Sequence, residues 1–332
     1  MGSRKRSKIA STRRQGKIPR CARCNCRTRP ALTRLVPDNL EMATIMIEPL
    51  LQGKDLVDSI LSAQPFVGSV TIWRLGQAGI VVKFPSFTAL VDPYLSNHCE
   101  AILPYPFDHR RLTRAPLDAS EIDWVDLVLI THDHPDHLDP PTLRTLSRQN
   151  PTATVVAPAS SHARLLELGW TQDAVLTTSE NAPVHIRAAH IVGFPVAHEE
   201  FLEDPPGSDV CQGFAISDGY LTVVHIGDSI DSQQTRDSLR LQSIDVLFVP
   251  INGRSDARAA LGFAGNMTAA EAAAFAVAVG AGLTVPMHYD MFQQNVDVSA
   301  LETFDRVADQ LGASHITLQV GEKATFQSTR RK

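Results

Sequence analysis

The sequence lacks any apolar run long enough to cross a bilayer. The longest, Ala272 to Met287, is rich in Ala and Gly and falls short of the ~20 residues a hydrocarbon core requires. It breaks at Gly280 and Gly282, which predicts a helix followed by a buried strand. A disulfide framework is also missing. Of five cysteines, Cys21, Cys24 and Cys26 crowd together while Cys99 and Cys211 stand alone, a usage that fits a reducing compartment. The opening MGSRKRSK has no apolar stretch behind its charges, which argues against a secretory signal and makes the cytoplasm the expected location. No internal repeat is visible. What is present, 43% hydrophobic and 20% charged residues, predicts a soluble globular protein and excludes collagen-like or wholly disordered chains.

Acidic residues are absent from the first 34 positions, which carry twelve of the 31 Lys and Arg. The remainder holds nineteen basic against 36 acidic residues, a balance of −17. Such a body is a poor general nucleic-acid binder, since phosphate contacts need clustered cations. Only the basic segment leaves that partner class open. Residues 1–41 show no apolar period and read as a disordered extension. Their CARCNC segment is half of a zinc knuckle, and no second Cys/His pair follows at finger spacing. Met42 and Met46 offer alternative starts, so whether residues 1–41 belong to the native protein is left open.

Order begins after Met42. Residues 42–66 read as an N-terminal helical segment, with Leu50, Leu51, Leu56, Val57, Ile60 and Leu61 at helical spacing. Residues 67–332 form the main domain. Strands are expected at 70–75, 80–84, 88–91, 127–130, 154–157, 184–186, 191–196, 213–216, 221–226, 246–249, 283–287 and 316–320. Helices are expected at 268–279 and 300–311, the former started by a Thr268–Glu271 capping box. Strands outnumber helices and many join by short turns, a layout of two sheets with helices outside.

The stretch Leu129-Ile-Thr-His-Asp-His-Pro-Asp-His-Leu-Asp139 carries the chemistry. A buried strand runs into four potential ligands: His132, His134, Asp136 and His137. While the chain stays extended, residues two apart point the same way, so His132 and His134 can hold one ion. Asp139-Pro140-Pro141 reads as a helix N-cap, so the loop between must bend and aim Asp136 and His137 at a second ion. Imidazole and carboxylate on one tight turn suit a borderline divalent metal. His98, His109, His162, His185 and His315 have no ligand-spaced partners and read as surface or hydrogen-bonded residues. His225 reads as a supporting or core residue, and Asp133 as pointing away. Cys99 and Cys211 read as structural.

THDHPDHLD resembles the HxHxDH signature of the metallo-β-lactamase superfamily, over about residues 68–326. The resemblance implies an α+β, four-layer αββα sandwich and a metal-dependent hydrolase. It adds His198, Asp228 and His288 as ligands and Asp92 as the residue orienting a ligand histidine. His132, His134 and His198 would hold the first ion, Asp136, His137 and His288 the second, with Asp228 bridging. Asp136 and Asp92 are the implied catalytic residues, Asp136 passing a proton to the leaving group. Two ions, Zn²⁺ or Mn²⁺, would lower the pKa of a shared solvent molecule to generate hydroxide.

Within the superfamily the chain is similar to the L-ascorbate-6-phosphate lactonase branch. Trp73-Arg-Leu-Gly-Gln-Ala-Gly-Ile80, Pro250-Ile-Asn-Gly-Arg254, Asn266-Met-Thr268 and His288-Tyr-Asp-Met-Phe292 carry this. His198 departs from the enterobacterial lactonases and matches the ordinary dinuclear site. The implied substrate is a small sugar lactone, with Asn252, Arg254, Asn266 and Tyr289 as substrate-binding residues. Arg254, with Arg258 behind it, is a candidate clamp for a phosphate or carboxylate; capping a carbonyl or pairing with Asp256 is the equal alternative. A phosphodiesterase or nuclease of the same fold, and a non-catalytic binding protein working through its basic tail, are the competing functions. No membrane partner is expected, and a homo-oligomer stays open.

Overall fold

The first strand, β1 (Ser69–Gly76), is buried along its whole length because both of its faces are apolar. Val70 and Ile72 face one way into one core; Trp73 and Leu75 face the other way into a second. That period of two, apolar on both sides, is the mark of a strand covered above and below. The computed structural model describes residues 46–103, 108–240, 242–297 and 299–328. The expectations for residues 1–41, the CARCNC segment and Met42 lie outside the described residues.

The chain runs through helix α1 (Gly53–Ser62), β1, β2 (Gly79–Lys83), β3 (Thr88–Val91) and helix α2 (His98–Ile102). Then come β4 (Leu127–Leu129), α3 (Pro140–Gln149), β5 (Thr154–Val156), α4 (His162–Glu167) and β6 (Val175–Leu176). A meander of β7 (Val184–Ile186), β8 (Ala189–Pro195), β9 (Gln212–Ser217) and β10 (Thr222–His225) leads to α5 (Gln233–Arg240). The last part holds β11 (Val246–Pro250), α6 (Asp256–Ala259), α7 (Ala269–Ala278), β12 (Leu283–Met287), α8 (Ala300–Leu311) and β13 (Lys323–Gln327).

Two sheets result, one ordered β13-β1-β2-β3-β4-β5-β6 and the other β12-β11-β10-β9-β8-β7. Strands β3 to β6 pair in parallel, as do β10 to β12, and the other pairings are antiparallel. The sheets meet through Val70, Ile72, Ile80, Phe214, Val223, Phe248 and Val285. On the outside, α1, α3 and α4 cover the first sheet with Leu56, Ile60, Leu143, Leu146 and Leu165. Helices α5, α7 and α8 cover the second with Leu239, Phe275, Phe304 and Ala308. Each such Leu or Phe contributes about 1.5–3 kcal/mol by leaving water. The architecture is the expected four layers, helix–sheet–sheet–helix.

Two expected elements differ. In the N-terminal segment only Gly53–Ser62 is helical; Leu50 and Leu51 precede it, and Leu50 donates its amide to Val320. The expected strand at 316–320 is absent, although Leu318 and Val320 are buried as in a strand. Its backbone meets β12 only through Thr284, which donates to Ser314 O and accepts from Ile316 N. The chain then turns, and the strand paired with β1 is Lys323–Gln327.

Candidate metal centre

The capping-box helix and the double-proline helix place one edge of the site. Asp139 precedes Pro140 at the start of α3, but its carboxylate does not cap that helix's amides. It accepts instead from the amides of Leu95 and Ser96, from Ser96 Oγ and from Thr142 Oγ1. The loop after β3 is thereby tied to the end of the histidine turn. Within that turn the amides of His137 and Leu138 both donate to His134 O, which closes the bend tightly.

Every candidate ligand follows the C-terminal end of a strand. His132 through His137 follow β4, His198 follows β8, Asp228 follows β10 and His288 follows β12. Asp92, directly after β3, stands at φ 43° beside β4. It accepts from the Thr131 amide at 2.8 Å, the Thr131 hydroxyl at 2.6 Å and His137 Nδ1 at 2.8 Å. Because the Thr131 hydroxyl gives its proton to Asp92, its oxygen is the acceptor for His132 Nδ1, 3.0 Å away. His198 Nδ1 donates to Gly265 O at 3.2 Å. In all three rings the Nδ1 proton is thus used outward, and Nε2 is the nitrogen that faces the site. This is how supporting partners orient metal-ligating histidines.

Asp228 sits at the centre. Its Oδ2 is 3.2 Å from His288 Nε2 and 3.6 Å from His198 Nε2; its Oδ1 is 3.4 Å from His137 Nε2. The turn that delivers it is held by His225, whose Nε2 donates to Ala78 O and whose Nδ1 accepts from the Gly227 amide. Gly227 has φ 62°, and a Cβ there would meet the Thr131 side chain at 2.8 Å, so only glycine fits. His225 is therefore a support and not a ligand.

Three groups of side chains have ligand atoms close enough to share an ion: His132–His134–His198, Asp136–His137–His288, and His132–His137–Asp228. His132 Nε2, His137 Nε2 and Asp228 Oδ1 are buried with no hydrogen-bond partner. Leaving such atoms unsatisfied costs about 1–3 kcal/mol each, so the cluster fits cations and is poorly built without them. Charge points the same way. Burial pushes the Asp228 carboxyl up, but the rings of His288 and His137 overcome this and hold it well below its usual range. Burial likewise opposes ionisation of Asp136, and His137 and His288 again win, holding it far below the carboxylate range. Burial lowers His132 and His198, which favours the neutral, metal-binding ring.

Sequence reasoning passed over Gln77. It stands at φ 51° in the two-residue turn of the β1–β2 hairpin, and its Nε2 donates to Asp136 Oδ2 at 2.7 Å. The signal was the Gly76-Gln-Ala-Gly79 turn itself, which aims an amide off the end of two buried strands.

A cavity of about 180 Å³ opens over this cluster. His134, Asp136, His198, Asp228 and His288 line it on one side; Leu103, His109, Phe263, Phe292 and Asn295 are among its other walls. His109, expected to be a surface or hydrogen-bonded residue, is buried and stacks on Phe263 with centroids 5.4 Å apart. Cys99 also borders the cavity, and burial pushes its thiol above the usual range.

The four expected substrate residues are not in the cavity wall. Arg254 is turned to Glu271, with two bonds of 2.6 and 2.7 Å, and to Asn266 O; Asp256 is not its partner. The reason is local: Glu271, the capping-box residue of α7, presents both oxygens to it. Tyr289 lies under the Arg74 guanidinium, 4.7 Å from its ring centre, because Arg74 is anchored to the neighbouring Asp290. Asn252 and Asn266 are fully buried and bonded to each other. Asp92 is also wholly buried and acts through His137, which makes it a positioning residue rather than a catalytic one. Among the described residues, no helix is long and apolar enough to cross a membrane.

Comparison with known proteins agrees with this geometry. Residues 88–289 match the beta-lactamase superfamily domain model, more than half of the chain. A UPF0173 metal-dependent hydrolase of Hyperthermus butylicus is 27% identical over 257 residues, 76% of this chain and 97% of that protein. Its counterpart in Methanoculleus marisnigri is 30% identical over 206 residues, 58% of this chain and 78% of that protein. Among solved structures, Igni18, a metallo hydrolase of Ignicoccus hospitalis, superposes with a TM-score of 0.60 at 20% identity, covering 79% of this chain and all of that one. The chain belongs to the metallo-β-lactamase superfamily, as a metal-dependent hydrolase of the UPF0173 family.

Proposed function

We propose that the protein hydrolyses a small ester or lactone whose non-reacting part is uncharged, at a centre of two divalent ions, Zn²⁺ or Mn²⁺. The observation that carries this reading is the cavity's composition. Two carboxylates and a set of imidazoles stand on one side, Leu103, Phe263 and Phe292 on another, and no described lining residue is Lys or Arg. The nearby guanidiniums of Arg254 and Arg258 are engaged by protein groups. A phosphorylated sugar lactone, or a phosphodiester, would find no cationic side chain there to recognise its phosphate. A non-catalytic role would leave the buried ligand cluster without a purpose.

His132, His134 and His198 would hold one ion and Asp136, His137 and His288 the other, with Asp228 between them. Bound there, the ions supply Lewis-acid activation of a carbonyl and of a water molecule. Asp136 reaches the cavity, where its carboxylate is placed to pass a proton from the attacking water to the leaving oxygen. Gln77 fixes that carboxylate through its amide. Asp92 and Thr131 hold His137 and His132 in the ligand tautomer.

The test is a panel of methyl butanoate, γ-butyrolactone, L-ascorbate-6-phosphate and bis(p-nitrophenyl) phosphate with metal-loaded protein. Turnover of a neutral ester or lactone, lost on chelation and restored by metal, is the expected result. Faster turnover of either phosphate compound overturns the reading.

A further inference from the structure

Asn252 and Asn266, together with Arg258, orient another polar residue, Asn295, that lines the cavity. Asn295 lies just past Phe292, on the wall that carries His109 and Phe263. Arg258 Nη1 is 3.0 Å from one terminal atom of its side chain. A guanidinium only donates, so that atom must be the amide oxygen. The Asn252 side-chain nitrogen, 2.9 Å away, donates to the same oxygen. Asn252 is itself held in this orientation, its own oxygen accepting from Asn266 Nδ2 at 3.0 Å. Arg258 Nη2 further grips the Asn252 carbonyl at 2.8 Å. With both donors spent on the Asn295 oxygen, its NH₂ group is turned the other way and has no hydrogen-bond partner among the described residues.

We propose that Asn295 Nδ2 is the hydrogen-bond donor that selects the substrate, recognising a neutral acceptor, an ether, carbonyl or ring oxygen, on the part that does not react. Asn252, Asn266 and Arg258 position it. The proposal rests on the hydrolase reading above and narrows its substrate class from uncharged compounds in general to those bearing an oxygen acceptor. Three features support a donor with this task. Asn295 lines a cavity whose neighbouring walls are Phe263, Phe292 and Leu103, where competition from water is reduced. Its orientation is fixed in advance by a partly buried network whose Asn252–Asn266 end is fully buried, so little ordering is lost on binding. No described lining residue offers a cation in its place.

Product-like carboxylates test this without relying on turnover. Methoxyacetate and 3-methoxypropanoate are compared with butanoate and pentanoate, each pair differing by an ether oxygen in place of a methylene. Their affinities for the metal-loaded protein are measured by calorimetry. In the wild type at least one ether binds about two- to tenfold tighter than its alkyl partner, the range of one neutral hydrogen bond. Asn295→Ala brings that ratio to near one. Asn295→Asp keeps an oxygen for Arg258 but turns a second oxygen to the cavity, and it inverts the ratio in favour of the alkyl compound. Metal content measured on each variant separates this from damage to the centre. Equal affinities within both pairs in the wild type, or a ratio that survives Asn295→Ala in metal-replete protein, overturns the proposal. Hydrolysis of the corresponding methyl esters is followed separately. Its absence would count against the hydrolase reading, while the binding ratios would still decide the role of Asn295.

Discussion

Gln77 and His288 meet at two points. The His288 amide donates to the Gln77 carbonyl at 3.1 Å, and Gln77 Nε2 lies 2.9 Å from His288 Nε2. Both stand at positive φ, 51° and 60°, a backbone state that costs of order 1–3 kcal/mol per residue. The first belongs to a hairpin of one sheet and the second to a strand end of the other, so this contact joins the sheets at the site.

Removing the amide is expected to weaken the Asp136–His137–His288 group. Gln77→Ala should lower its metal affinity about tenfold to a hundredfold, the usual effect of losing a partner of a ligand. Competition with a chromophoric chelator measures this. Gln77→Gly, which tolerates the turn, should show the same loss; unchanged affinity in both variants would mean that the amide has no hold on Asp136.

Asp228 lies within 3.6 Å of His198 in one ligand group and of His137 and His288 in the other, whereas His134 belongs to one group alone. Elemental analysis of purified wild type should find close to two equivalents of metal. His134→Ala should retain about one, and Asp228→Ala neither. An Asp228→Ala protein that keeps both ions would remove it from the bridging position.

The pH dependence has a definite sign. Burial opposes a charge on His288, but Asp228 and Asp136 overcome this and raise it to about 9. In metal-free protein its contribution to stability is fully present below the unperturbed value of 6.5 and is lost as pH rises through about 9. Asp228, held low, contributes above its unperturbed 3.8, and that part is lost as pH falls below it. A ligand imidazole must shed its proton, so metal loading near neutral pH should release protons, and affinity should rise with pH until about 9. Calorimetry in buffers of different ionisation enthalpy reads the proton count directly. Loading without proton release would contradict the charge state of His288.

Arg254→Ala should leave substrate selectivity alone. It removes a partly exposed pair with Glu271, worth about 0–1 kcal/mol, and a contact with Asn266 O. A small drop in melting temperature is expected, with equal effects on KM for L-ascorbate-6-phosphate and its unphosphorylated lactone. A selective rise in KM for the phosphorylated compound would return Arg254 to the site.

The metal cluster was legible because four of its members, His132, His134, Asp136 and His137, fall within one bend after a buried strand. The two-sheet fold was legible in the alternation of strands such as Val70–Leu75. Arg254 was left between a clamp and a carbonyl cap because sequence displays a charge without the group that neutralises it. Its bond to Asn266 O is the cap, and Glu271 is the partner the sequence did not show. Glu271 stands seventeen positions later and does double duty as a helix cap. Asn295 and Phe263 carry no spacing signal at all. They reach the cavity from loops whose local pattern is silent, and only the folded chain brings them beside His109. At 316–320 the burial pattern was strand-like, but a strand also needs a backbone partner, and β13 had already taken the edge of β1.

The ligands and the cavity wall come from different kinds of chain. The ligands follow strand ends braced by hairpins and glycine turns, while Phe263 and its neighbours Gly262 and Ala264 lie in the loop between α6 and α7. Reaction type and choice of substrate are therefore written in separable parts of the polypeptide. Gly265, whose carbonyl holds His198, has to stay. The residues before it can be exchanged or randomised in a library while the ligands keep their places, which makes residues 260–264 the natural place both for evolutionary divergence and for redesign.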